Sequence, residues 1–194
     1  MTCISDIVSS WTSGIDRGKA VVEVFRQVRD IPYGTTGSSD PLRVYELRRG
    51  TSCGKHLLLA STYAYMGLDV MHMVAPHNYS HLPRRVPYPK ELAAVVKTEE
   101  GIPDYHYFIR IHRNDHWRTV DATFDAGLQG CLVVNDWDGT GDTALSVRAF
   151  RVLPVAQPLE FMTRKLDELP WQIQKRRQRF LRAFSSWLVD LRGR

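Results

Sequence analysis

Along residues 16–30, DRGKAVVEVFRQVRD, apolar side chains recur at Ala20, Val21, Val24, Phe25 and Val28, the spacing of one helix face. Ile31-Pro32-Tyr33-Gly34 ends that pattern, and the TTGSSDP that follows is turn-forming. A second periodic stretch begins at residue 51. There Leu57, Leu58, Ala60, Ser61, Ala64 and Tyr65 form an apolar stripe, Thr51 or Ser52 can accept a backbone N–H as a cap, and Gly67 suits a left-handed stop. Leu68 to Val74 predicts a strand. Residues 76–104, punctuated by Pro76, Pro83, Pro87, Pro89 and Pro103, predict a long, mainly irregular excursion of the kind that often borders a site.

The run YHYFIRIHRNDHWRTVDATFD, residues 105–125, reads as two strands around a polar turn at Arg113, Asn114 and Asp115. With Arg113-Asn114 in the turn, His106 stands directly opposite Asp121; with Asn114-Asp115 there, the two remain diagonal neighbours on the same face. A shift of one residue would separate them. Beyond the hairpin, residues 131–141 read as loop and Ser146 to Leu153 as a strand. Two terminal helices, 158–169 and 171–192, hinge near Pro170. The pattern as a whole is α+β. It places one domain over residues 1–170 and a separate C-terminal helix over 171–194.

Composition adds limits. A chain of 194 residues with 43% hydrophobic content can bury one substantial core, and its apolar runs fall well short of the roughly 18 residues a bilayer crossing needs. The opening MTCISDIVSSWTSGID lacks a basic leader followed by an apolar core, which favours a cytoplasmic location. The net charge of +5 is not spread evenly: residues 171–194 carry seven Lys or Arg against Asp190, a balance of +6, which leaves −1 for residues 1–170. The body therefore shows no basic groove for nucleic acid. The tail, with Phe180, Phe184, Trp187, Leu188 and Leu191 on one face and arginines on the rest, is expected to dock on its own domain, the alternative being an anionic membrane surface or a partner.

Cys3, Cys53 and Cys131 are odd in number, widely spaced and without a CxxC pair, so each is a single thiol rather than part of a disulfide framework or thiolate zinc site. Cys53 falls in the first turn of its helix. The unpaired N–H groups and positive dipole end there favour a thiolate. A nucleophilic thiol needs an imidazole to take its proton, and the imidazole needs a carboxylate to fix its tautomer; His106 and Asp121 supply both in chain order after Cys53.

Gly50, Cys53, the apolar helix ending at Gly67, the strand LDVMHMV, His106 at the start of a strand, and Trp117 followed by VDATFD together resemble the core of the transglutaminase-like superfamily of cysteine enzymes, over roughly residues 20–125. The stretch VDATFDAGLQG with VVNDWDGTGDTAL is also similar to uncharacterised bacterial members. The resemblance implies Cys53 as nucleophile, His106 as general base and acid, and Asp121 as its partner. It also implies a papain-like α+β fold, with the cysteine helix packed on an antiparallel sheet; thiol acyl transfer of this kind is expected to need no cofactor. The chain departs from the family pattern at Gly50, at Gly54-Lys55-His56 and at Phe108, where a tryptophan is common.

Around this triad, the Cys53 backbone N–H is a natural oxyanion donor, and Tyr33 is a candidate for the second by family analogy. His56, one turn after Cys53, can line the cleft or face solvent. Trp137 in NDWDGTGD can form an aromatic wall whose acids select a basic or amine substrate, or can pin a turn-rich loop. His72, His77 and His81 lack metal-ligand spacing, and the Asp/Gly loop lacks an EF-hand's terminal glutamate, so no metal is expected. The expectation is a cysteine hydrolase or transamidase, hydrolysis somewhat favoured, acting on a peptide, amide or amine-bearing small molecule. The rivals are a non-catalytic binding module of the same fold and a protein acting through its basic tail.

Overall fold

The computed structural model describes residues 2–193. Its centre is the helix α4, Ser52–Tyr65, which buries Leu58, Leu59 and Tyr63. Thr51 is its N-cap residue but makes no side-chain capping bond. Past the other end Gly67 takes φ 81°, and the Leu68 N–H returns to the Tyr63 carbonyl at 3.0 Å, a closure that a side chain at Gly67 would strain. Four strands follow in the chain: β1 Val70–Asn78, β2 Pro103–Arg113, β3 His116–Val120 and β4 Leu153–Pro154. They form one antiparallel sheet in the order β3-β2-β1-β4.

The hairpin turns at Asn114 and Asp115, both in left-handed geometry (φ 51° and 61°), so that Arg113 pairs with His116 and Ile109 with Val120. Direct opposition of His106 and Asp121 is therefore corrected to the diagonal register. Asn and Asp tolerate the left-handed conformation better than arginine, and Arg113, kept in the strand, reaches the Gly18 carbonyl at 3.0 Å.

The remaining helices are α1 Ile4–Thr12, α2 Arg17–Arg29, α3 Pro41–Leu47, α5 Lys90–Val96, α6 Pro158–Asp167 and α7 Trp171–Arg192, making an α+β protein with seven α-helices among the described residues. Helices α1, α2 and α4 share a core with the sheet, built from residues such as Ile7, Phe25, Leu58, Tyr63 and Ile109. A second core gathers Tyr79, Tyr88 and Phe124 around Phe180, Phe184 and Leu188 of α7. Each of these α7 side chains contributes about 1.5–3 kcal/mol on burial. Arg192 clamps the helix end through Nε and Nη2 to the Asp125 carboxylate at 2.8 and 2.6 Å.

Three expectations are revised. Residues 76–104 are not mainly irregular, because they complete β1 and then form a short 3-10 turn, Tyr79–His81, and α5. The strand expected over 146–153 shrinks to Leu153–Pro154 plus one bridge, Ala149 to His77; upstream of it, the Ser146 N–H and hydroxyl are committed to Asp121 rather than to a ladder. Helix α3, unforeseen, presses Val44 against the start of α4. A methyl group on Gly54 would lie 2.6 Å from Val44 Cγ2, so glycine after Cys53 is what permits this approach. Among the described residues no helix is long and apolar enough to cross a membrane.

Candidate active site

Asp121 follows directly after β3 and is fully buried. Its carboxylate accepts five hydrogen bonds. Oδ2 takes His106 Nε2 at 2.8 Å and the Ser146 N–H at 2.7 Å. Oδ1 takes the Thr123 N–H at 3.0 Å, the Thr123 hydroxyl at 2.6 Å and the Ser146 hydroxyl at 2.9 Å. Burial by itself would push this carboxyl up, but His106 and the other donors outweigh it and hold it well below the usual carboxylate range. An acceptor-only carboxylate assigns the His106 hydrogen to Nε2 and leaves the Nδ1 lone pair for another proton. The His106 ring is 2% exposed and stacks on Phe108 at 5.8 Å.

Cys53, in the first turn of α4, is half-buried and unpaired. It lines a cleft of about 210 Å³ whose wall also includes His106, Tyr33, Ser39 and Thr123. The helix-start position argued for a thiolate, yet burial pushes the Cys53 thiol up to about 12; a hydrogen bond from Ser39 pulls it down and the Asp104 carboxylate raises it further. Desolvation outweighs the dipole here. The environment of the resting site therefore favours the thiol over the thiolate.

His56 is not a cleft residue and not a solvated one. It is fully buried: its Nε2 accepts the Ala122 N–H at 2.8 Å, so Nδ1 donates to the Ser52 carbonyl at 2.8 Å. The ring thus ties the backbone just before Cys53 to the backbone just after Asp121. Its pKa is lowered to about 4, burial opposing the charge that Asp121 would favour. Lys55 is the companion tie. Its buried ammonium donates to the carbonyls of Arg29, Ile31 and Thr123 at 2.9, 2.7 and 2.7 Å, and burial lowers its pKa to about 7.

Tyr33 does border the cleft, packed on Phe124 at 5.4 Å and Phe184 at 6.0 Å, with burial pushing its phenol up to about 12. Trp137 does not. It is 3% exposed in the main core, edge-on to Phe25 at 5.6 Å, with Nε1 donating to the Gly141 carbonyl at 2.7 Å. The aromatic wall with selecting acids is therefore corrected to a loop pinned by its tryptophan: Asp138 is spent on Thr140, and Asp136 faces Arg26 at 3.8 Å. His72 bonds the Tyr107 hydroxyl at 2.6 Å and His77 enters the cleft. No group of three His, Cys, Asp or Glu able to hold a metal exists among the described residues.

Several site residues escaped the sequence reading. Thr123 and Ser146 carry the Asp121 carboxylate; Thr123, two residues on in VDATFD, was within reach of the motif. Asp104, two residues before His106, shares its strand face and the cleft. Arg177 and Leu181 of α7, with Leu159, Met162 and Leu166 of the α6 region, make one side of the cleft. Nothing local in the sequence marked them, because their role depends on how the terminal helices pack.

No family model matches the sequence, and no curated protein is a significant match. Among solved structures, a protein from Cytophaga hutchinsonii named as a candidate cysteine protease is similar at TM-score 0.43 and 11% identity. The similarity covers 79% of this chain, which spans about half (51%) of that protein's length.

Proposed function

We propose that this protein is a cysteine-dependent acyl-transfer enzyme of the transglutaminase-like kind, acting on an amide or related carbonyl of a peptide or small molecule. The observation that carries the reading is the 2.8 Å bond from His106 to the five-donor Asp121 carboxylate, made by a ring that borders the same cleft as the Cys53 thiol. His106 Nδ1 takes the thiol proton as Sγ bonds to the carbonyl carbon. The resulting oxyanion faces the Cys53 N–H. The C–N bond then breaks, the proton passes from Nδ1 to the leaving amine, and a thioester remains. Water, or a second amine, gives its proton to Nδ1 while attacking the thioester; the C–S bond then breaks, the sulfur takes that proton back from Nδ1, and the acid or new amide leaves, hydrolysis being the favoured branch. Asp121 stays ionised throughout and stabilises the imidazolium.

A second reading has one observation in its favour. Burial that raises the Cys53 thiol to about 12 suits an inert cysteine in a binding module of this fold. The two are separated by acylation with p-nitrophenyl acetate and mass spectrometry of the peptide carrying Cys53. Catalysis requires an acetyl group on Cys53, formed at least about tenfold more slowly in His106→Ala, as loss of a general base implies. Equal acylation of Cys53 and the exposed Cys3, unchanged by His106→Ala, would establish the binding module instead.

A further inference from the structure

The cleft that holds Cys53 has a charged end. Arg177 reaches it from α7 and Asp104 from β2, joined by Arg177 Nη2 to Asp104 Oδ1 at 2.8 Å. Asp104 also accepts the Tyr105 N–H on the same oxygen. The pair is neutral overall, but it does not present itself evenly. The Asp104 side chain is 6% exposed and that of Arg177 is 21%, so the arginine is the more accessible member of the pair. Two nitrogens at this end are buried without any partner: Arg177 Nε and His77 Nδ1, the latter on a ring that is 3% exposed and sits opposite Asp104 in the β1–β2 register. Arg177 Nε is a buried donor left unpaired, and a ligand acceptor drawn against it would satisfy it; His77 Nδ1 donates or accepts according to its tautomer. The remaining lining is mixed, with Leu82, Val147 and Leu159 beside Thr51, Ser52 and Thr163.

A planar guanidinium fork in the wall of a small cleft of mixed polar and apolar lining matches a carboxylate better than any neutral group. Resting on the reading of Cys53 as the reactive centre, we infer that the substrate is an acidic molecule, its carboxylate held by Arg177 beside His77 while its reacting carbonyl lies at Cys53. Arg177 is thus a specificity-determining residue supplied by the C-terminal helix.

The test compares alkylation of Cys53 by iodoacetate and 3-iodopropionate with that by their neutral amides, followed by mass spectrometry. The expected result is an acid-to-amide rate ratio at Cys53 at least about fivefold above that of a small free thiol, since a guanidinium–carboxylate contact contributes about 1 kcal/mol or more. Arg177→Gln alone would leave Asp104 uncompensated, so the decisive variant is Asp104→Asn with Arg177→Gln, in which the ratio falls to that of the free thiol. A wild-type measurement guards against a misfolded variant: glutarate should protect Cys53 from iodoacetamide and glutaramide should not. A wild-type ratio equal to the free thiol's, a ratio unmoved by the double variant, or equal protection by glutarate and glutaramide overturns the inference. Labelling reads charge selection whether or not the thiol turns over an amide. Anion preference without acylation would sink the catalytic reading alone; His106-dependent acylation without anion preference would sink this one alone.

Discussion

Replacing Lys55 by methionine, similar in length and uncharged, tests how the cysteine helix is anchored. The ammonium is fully buried and its three hydrogens meet three backbone carbonyls at 2.7–2.9 Å. Methionine leaves those carbonyls unpaired at about 1–3 kcal/mol each, partly offset by relief of the buried charge, so a net loss of about 2–4 kcal/mol is expected near neutral pH. The pH dependence is the sharper measurement. Burial lowers the folded-state pKa to about 7 from an ordinary 10.5. Between those values the unfolded chain holds the proton and the folded chain does not, so the lysine's contribution to stability rises with pH, by at most about 1.4 kcal/mol per pH unit. Urea denaturation of both proteins should show the gap between wild type and Lys55→Met widening by about 2–3 kcal/mol from about pH 7 to about pH 9. Other titrating groups are common to both and cancel. A gap that stays flat or narrows would show that the three carbonyls keep the ammonium charged against its burial, and would refute the reasoning.

His56→Phe should cost about 2–4 kcal/mol in urea, because it unpairs the Ser52 carbonyl and the Ala122 N–H. Since the folded pKa of about 4 lies below the ordinary 6.5, the wild-type advantage should also grow as pH rises through that interval; a constant advantage would mean the ring is not held neutral. Leu188→Ala, in the face of α7 packed on the second core, should lower unfolding stability by about 2–5 kcal/mol. A loss below about 1 kcal/mol would show that α7 contributes little to the fold.

How far the chain could be read without coordinates is clearest at particular residues. The helix bearing Cys53 and the hairpin bearing His106 were legible because their signals are local: an apolar period, a glycine stop, an alternating pattern around a polar turn. The same periodicity is present in α1, where Ile4, Ile7, Val8 and Trp11 share a face, and was overlooked. Helices α3 and α5 span only seven residues each, too short for a period to speak. The sequence leaves Trp137 open between a cleft wall and a pinned loop, and leaves the burial of His56 unannounced, for one reason. A loop tryptophan and a helix histidine look alike in sequence whether they face a cleft, solvent or a core.

By its own pattern, then, the chain determined an α+β architecture, a cysteine at a helix start, and a histidine and an aspartate on one face of a hairpin, since each of these needs only neighbours within a few residues. Packing decided the rest. The protonation of Cys53, the five donors on Asp121 and the guanidinium at the end of the cleft arise from residues brought together across as much as 73 positions, as between Asp104 and Arg177. Burial and charge depend on what surrounds a group in space, and that environment exists only once the distant segments have met.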